Sequence, residues 1–105
     1  MNERPIPDAA LRDRNSVEML RVWIAEKKLH CSIKVGMYAE TSKVPEEIAW
    51  GVILADVTRH IGKALEARYS GNSVENIHKI RDSYLKELAT PTSEVRGDFV
   101  EWKKA

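Results

Sequence analysis

Asp56 and His60 are the residues whose types and spacing could do chemistry in this sequence. Four residues apart on a helix, their side chains lie on one face, and carboxylate and imidazole groups are both common metal ligands. His30, elsewhere in the chain, could complete the set, which predicts a metal-binding protein or an enzyme. Arg59 and Lys63 favour another interpretation, in which they only form ion pairs with this face and repel a cation.

Cys31 is the single cysteine of the chain and follows His30 directly. It is the alternative third ligand for such a metal site, and a thiol beside an imidazole is also what a cysteine nucleophile needs. Consecutive residues of a strand point to opposite faces, so these two side chains cannot form that pair directly. Cys31 shares the parity of Ile33 and Val35, which instead predicts a small buried apolar side chain.

Motifs for phosphate binding and nucleophilic catalysis are missing from the sequence. It contains no GxGxxG, P-loop, GxSxG or HExxH pattern. The sequence therefore favours a protein without catalytic chemistry of its own and predicts no cofactor.

Charge and length narrow the function classes further. Lys and Arg total 17 and Asp and Glu total 16, with the two signs interspersed, so no basic field attracts nucleic acid. The first residues lack the apolar core of a secretory signal, and no run approaches the roughly 20 apolar residues that cross a bilayer. We therefore expect a cytoplasmic protein without a membrane partner, folded as a single domain over residues 1–105.

Two alternating segments predict a β-hairpin over residues 17–38. The apolar positions are Leu20, Val22 and Ile24 and then Cys31, Ile33, Val35 and Met37. A four-residue loop would place them on one face, with the pairs Ile24 and Cys31, Val22 and Ile33, and Leu20 and Val35. The competing interpretation is a helix from Ser16 to Leu29, because several apolar residues there also fit a helical spacing.

Helix signals follow the hairpin. Pro45 precedes two acidic residues, which predicts a long helix over residues 45–69. Gly71 then provides a left-handed cap, and Ser73 opens a second helix over residues 73–89.

Both ends of the chain are expected to form arms. Prolines near the start predict an extended arm over residues 1–15, and Pro91 leaves a second arm over residues 90–105 that lies on the core. The predicted fold class is therefore α+β in the order β-β-α-α, with the antiparallel hairpin packed against two α-helices.

The long helix has two faces of different character. A broad apolar face, expected to cover the hairpin, carries Trp50, Ile53, Leu54, Val57, Ile61, Ala64 and Leu65. A neighbouring face carries Gly51, Ala55, Thr58 and Gly62. Mid-helix glycine costs roughly 0.5 to 1 kcal/mol relative to alanine, and a closely packed helix would explain its use. The alternative is that both glycines are incidental and face solvent.

A homodimer is the expected assembly. A two-stranded sheet is marginal by itself and leaves both edges open. The partner of the small-residue face is either the helix that begins at Ser73 or the same helix of a second subunit. Pairing between subunits would satisfy the sheet edges and the glycines together.

The segments NSVEMLRVWIAEKKLHCSIKVGMY and AWGVILADVTRHI, with the later PTSEV and GDFV, resemble a family of short bacterial proteins. Its members come mainly from alphaproteobacteria and are described as a domain of unknown function. Lys28 stands where related turns have glycine. The resemblance implies a bacterial cytoplasmic origin and no assigned activity, substrate or catalytic residue.

Three functions remain open from the sequence. The leading hypothesis is a homodimeric binding or regulatory module for a protein or small-molecule ligand, without catalysis. The second is a metal-binding protein or enzyme that uses Asp56, His60 and His30. The third is nucleic-acid binding through the hairpin, where Trp23 would stack on a base, although the balanced charge disfavours it.

Overall fold

The computed structural model describes residues 1–103 and has the element order α-β-β-α-α-α-β. The elements are α1 (Asp8–Arg12), β1 (Leu20–Ala25), β2 (Lys28–Val35), α2 (Met37–Thr41), α3 (Glu46–Arg68), α4 (Ser73–Ala89) and β3 (Val95–Glu101). The α+β class is confirmed, with a third strand and two short helices added to the predicted order. In the described part of the chain, no helix combines the length and apolar character that a membrane span needs.

The hairpin of β1 and β2 closes more tightly than predicted. Its pairs run from Leu20 with Ile33 to Ala25 with Lys28, which leaves a two-residue turn. Glu26 and Lys27 have φ values of 52° and 64°, as a type I′ turn requires. The predicted four-residue loop and its pairs are therefore wrong by a shift of two residues. Such a shift preserves parity, so the same apolar side chains share one face.

The C-terminal arm contains a strand where the sequence predicted an extended segment lying on the core. β3 pairs in parallel with β2, from Leu29 with Val95 to Val35 with Glu101. The sheet order is β1-β2-β3, and the long helices form the crossover that a parallel pair needs. Gly97 lies opposite Cys31 with a φ of 135°, and a Cβ atom there would overlap the Cys31 carbonyl oxygen.

The two long helices form a hairpin. Gly71 has a φ of 115°, and the Asn72 side chain caps α4 by accepting a hydrogen bond from the Glu75 N–H at 2.9 Å. Gly62 is buried against α4, and a Cβ atom there would lie 2.8 Å from Ile77 Cγ1. The close approach of the two backbones therefore depends on the missing side chain.

The N-terminal arm is also more regular than expected. The Pro7 carbonyl accepts hydrogen bonds from the N–H groups of Ala10 and Leu11 at 3.0 and 3.2 Å, which starts α1. The Ser16 hydroxyl closes the segment by donating to the Ala10 carbonyl at 2.9 Å. The prediction of a purely extended arm over residues 1–15 is wrong because Pro7 suits a helix start as well as an extended segment.

The sheet and the helical hairpin barely touch within the chain. The extensive contacts join strands to strands and α3 to α4. Ala49 is the only buried hydrophobic residue among residues 1–103. The radius of gyration is 15.6 Å, against about 13 Å for a compact domain of this length. The expectation that the long helix covers the hairpin is therefore wrong for a single chain.

Candidate functional site

One face of the sheet is apolar and open. Strand pairing places the following side chains on it together: Leu20, Val22, Ile24, Leu29, Cys31, Ile33, Val95 and Phe99. Ile24 is 74% exposed and Phe99 is 62% exposed. We call this surface the sheet face. Contiguous exposed apolar areas of this kind are typical of surfaces that bind a partner.

The helical hairpin carries a second apolar surface. We call residues 46–89 the helical arm. Its exposed large apolar residues are Ile48, Val52, Leu54, Val57, Ile61, Tyr69, Val74, Tyr84, Leu85 and Leu88. Val57 and Ile61 belong to the face predicted to cover the hairpin, and both are exposed. The helical arm therefore has an apolar surface suited to packing on a sheet, but the sheet of the same chain does not lie against it.

Glu46 fixes the angle at which the helical arm leaves the sheet. Its carboxylate accepts backbone N–H bonds from Gly36 at 2.9 Å and from Tyr38 and Ala39 at 3.1 Å. The Trp50 indole N–H also donates to it, at 3.1 Å. These bonds join the end of β2 and α2 to the first two turns of α3. They hold the pKa of Glu46 below its ordinary value, with the Gly36 bond as the largest cause.

Glu87 fixes the other connection. Its carboxylate accepts hydrogen bonds from the Thr92 N–H at 3.0 Å and from the Thr92 hydroxyl at 2.7 Å. These bonds hold the loop from α4 to β3, and they lower the pKa of Glu87. Beyond the loop, the Trp102 N–H donates to the Val35 carbonyl at 2.8 Å. Each of the two connections between the sheet and the helical arm is therefore held by the carboxylate of a glutamate.

Acid should loosen these two connections. A group whose pKa is lowered by folding stabilises the fold fully above its unfolded-state pKa, about 4.3 for glutamate, and that contribution is lost as the pH falls through the folded-state value. Urea unfolding should therefore show stability falling below about pH 4.3. Glu46→Gln combined with Glu87→Gln should flatten this profile. The matched control Glu47→Gln, at an exposed position beside Glu46, should keep it.

An equally steep profile in the double variant would show that other groups cause the acid sensitivity. The sequence indicated Glu46 only as a first-turn acid that suits the helix dipole, and it gave no role to Glu87. A signal for Glu46 was nevertheless available, because Trp50 follows one helical turn later and Gly36 directly follows strand β2.

A cleft of about 700 Å³ lies between the N-terminal arm and β1. Much of its lining is apolar, including Pro5, Ile6, Leu11 and Trp23. Three of its four charged groups lie together: the Arg21 guanidinium binds Glu18 at 3.0 Å and lies 3.6 Å from Glu3. The fourth is Arg4. The hydrogen bond to Glu18 raises the pKa of Arg21. The cleft therefore combines apolar walls with a largely neutralised polar end.

The residues considered for a metal site are not brought together. Asp56 pairs with Arg59 one turn away, as the ion-pair interpretation expected, and His60 is exposed. His30 lies in β2, where its buried Nε2 atom has no hydrogen-bond partner within the described structure. Across residues 1–103, no group of three or more His, Cys, Asp and Glu side chains is placed to hold a metal ion.

The four small residues of α3 have different surroundings. Gly62 lies against α4, whereas nothing lies within 4 Å of a Cβ atom built on Gly51. Ala55 is exposed and Thr58 is half-buried. Of the two glycines, only Gly62 is therefore required by close helix packing within a chain.

Comparisons with known proteins show the family of this chain and solved structures that resemble it. The family model described as "Domain of unknown function (DUF5076)" matches residues 3–92. No curated protein matches. One of the similar solved structures is a chain from the photosynthetic bacterium Rhodopseudomonas palustrus CGA009, described as a "putative pyruvate dehydrogenase". It is 18% identical, with a TM-score of 0.64 over 100% of this chain and 96% of its own, and it shows the same fold.

Proposed function

This chain belongs to the family described as Domain of unknown function (DUF5076), and from that premise we propose that it works as a homodimeric binding module without catalysis. The proposal depends on the amount of surface that one chain leaves open. The chain exposes 9158 Å², whereas a compact chain of 105 residues exposes about 6,000 Å². The surplus of about 3,000 Å² per chain is far more than a monomer of this size carries.

A second copy is the partner that best accounts for this surplus. Two chains that cover each other's open surface would together bury about 6,000 Å², which is the scale of obligate homodimers. Each chain also exposes, on both the sheet face and the helical arm, large apolar side chains of the kind that usually form a core. Such a chain lacks a sufficient core of its own, since only Ala49 is buried among its described apolar residues.

The cleft beneath the N-terminal arm gives the module a place for a ligand. Its four charged lining residues carry two charges of each sign and much of its wall is apolar, so it suits an uncharged, mainly apolar molecule or peptide segment. The activity in the name of the structural neighbour is not assigned to this chain, because a likeness at 18% identity carries the fold alone. The geometry lends no support to the metal site, and the balanced charge disfavours nucleic acid.

The assembly state tests the proposal directly. Light scattering and native mass spectrometry should give twice the chain mass at micromolar concentration. Urea unfolding should shift to higher denaturant as the protein concentration rises, because folding and association are one equilibrium. A monomer at micromolar concentration whose cooperative unfolding is independent of concentration would overturn the proposal.

A further inference from the structure

We infer that the two chains exchange their helical arms, so that the arm of one copy covers the sheet face of the other. This inference rests on the proposed homodimer and specifies how it is built. The occupant of each open surface is the complementary surface of the second copy, and the exchange is reciprocal about a two-fold axis.

The connections between sheet and arm are the first reason. A chain with an open sheet face and an apolar helical arm would normally fold one onto the other, as two layers around one core. Here Glu46 ties α3 to the backbone of Gly36, Tyr38 and Ala39. Glu87 ties the returning loop through Thr92. These bonds hold the arm away from its own sheet and leave it available to a second sheet.

The chemistry of the two surfaces is the second reason. The sheet face carries branched aliphatic side chains and Phe99, and none of its eight residues is charged. Glu101 lies at its end, opposite Val35. The long helix α3 exposes Val57 and Ile61 on one side, whereas Ile48 and Val52 lie on the opposite side. The side with Val57 and Ile61 is the one that would face the second sheet. Apolar helices against an apolar sheet are a standard layer pairing in α+β folds.

Covering both surfaces is the third reason. If the two copies met sheet to sheet, both helical arms would keep their apolar residues in water. If they met arm to arm, both sheet faces would stay in water. Of these three arrangements, only the reciprocal one covers both sheet faces and, on each arm, the side that carries Val57 and Ile61. It also accounts for a surplus of about 3,000 Å² per chain, which exceeds what one sheet face of three short strands can supply.

Two complementary variants test the exchange. The sheet variant carries Val22→Glu and Phe99→Glu, and the arm variant carries Val57→Lys and Ile61→Lys, which lie on one side of α3. All four side chains are exposed in the single chain, so the substitutions create no buried charge within it. Each variant alone should fail to dimerise, because every interface in it would bury a charge against apolar residues. Co-expressed at equal levels with different tags, they should form a heterodimer.

The heterodimer is specific to the exchange. It would contain one interface with both surfaces wild-type and one in which lysine faces glutamate. We expect tandem affinity purification to recover the mixed pair at least about tenfold above either variant paired with itself. The control Val44→Glu, an exposed apolar position in the loop before α3, should leave wild-type dimerisation unchanged.

The outcomes separate this inference from the proposed function. Two monomeric variants that do not rescue each other, with a dimeric wild-type protein, would overturn the exchange and leave the homodimer standing. Variants that remain dimers by themselves would also overturn it, because these surfaces would then lie outside the interface. A monomeric wild-type protein would overturn the proposed function itself.

Discussion

Replacing Gly97 with alanine is expected to detach β3 from the sheet. Gly97 has a φ of 135°, which side-chain-bearing residues rarely adopt, and a Cβ atom there would lie only 1.8 Å from the Cys31 carbonyl oxygen. The obstacle is backbone, so rotation of a side chain cannot relieve it. Strain of this kind costs about 1 to 3 kcal/mol, and the overlap adds to it. We expect a loss of about 3 kcal/mol or more in the free energy of unfolding.

Urea unfolding at fixed protein concentration would measure the loss, and hydrogen exchange would locate it. Exchange should accelerate at the β2 amides that bond to β3. Asp98→Ala is the matched control, since Asp98 is exposed in the same strand and its φ is not positive. That change should stay within about 0.5 kcal/mol. Wild-type stability in Gly97→Ala would show that β3 does not depend on this close approach.

The second large effect is expected at the contact of α3 and α4. In Gly62→Ala, the new methyl group would lie 2.8 Å from Ile77 Cγ1 and 3.2 Å from the Ser73 carbonyl oxygen. Moving the helices apart to admit it should cost about 1 to 3 kcal/mol, which exceeds the helix-propensity gain of up to about 1 kcal/mol. We expect a net destabilisation of about 1 to 2 kcal/mol in urea unfolding.

Gly51→Ala provides the same chemical change in the same helix without the contact. Nothing lies within 4 Å of its added Cβ atom, so the variant should gain about 0.5 to 1 kcal/mol from helix propensity. Opposite signs for the two substitutions are therefore the expected result. Equal gains at both positions would contradict the close packing at Gly62, and a loss at Gly51 would reveal a partner helix at that position.

The local signals in this sequence predicted the local structure well. Pro45 and the acids after it lie at the start of α3, and Gly71 has a positive φ before α4. Alternation also placed Val22 and Ile33 on one face of the hairpin. These features depend on neighbouring residues, and neighbouring residues are what periodicity and capping rules describe.

Non-local features were missed for identifiable reasons. Glu26 and Lys27 hold the positive φ values that turn rules assign to Asn and Gly, so a longer loop was predicted. Gly97 interrupts the alternating pattern of β3, so this segment was predicted to be an extended arm. A glycine is nevertheless what the close approach of β3 to β2 requires. The direction of the helical arm depends on Glu46 and backbone groups seven to ten residues earlier, which no periodicity encodes.

Because the sheet face of one chain is covered by another chain in the proposed pair, the stability of the fold depends on the concentration of the protein. When a covering layer comes from another molecule, each tenfold dilution removes about 1.4 kcal/mol of stability per pair. Newly synthesised chains would therefore stay sensitive to proteolysis until enough copies accumulate, and the cell could set the level of the folded protein through a threshold in synthesis. Every inherited substitution would also act twice in each folded unit, which doubles its energetic effect.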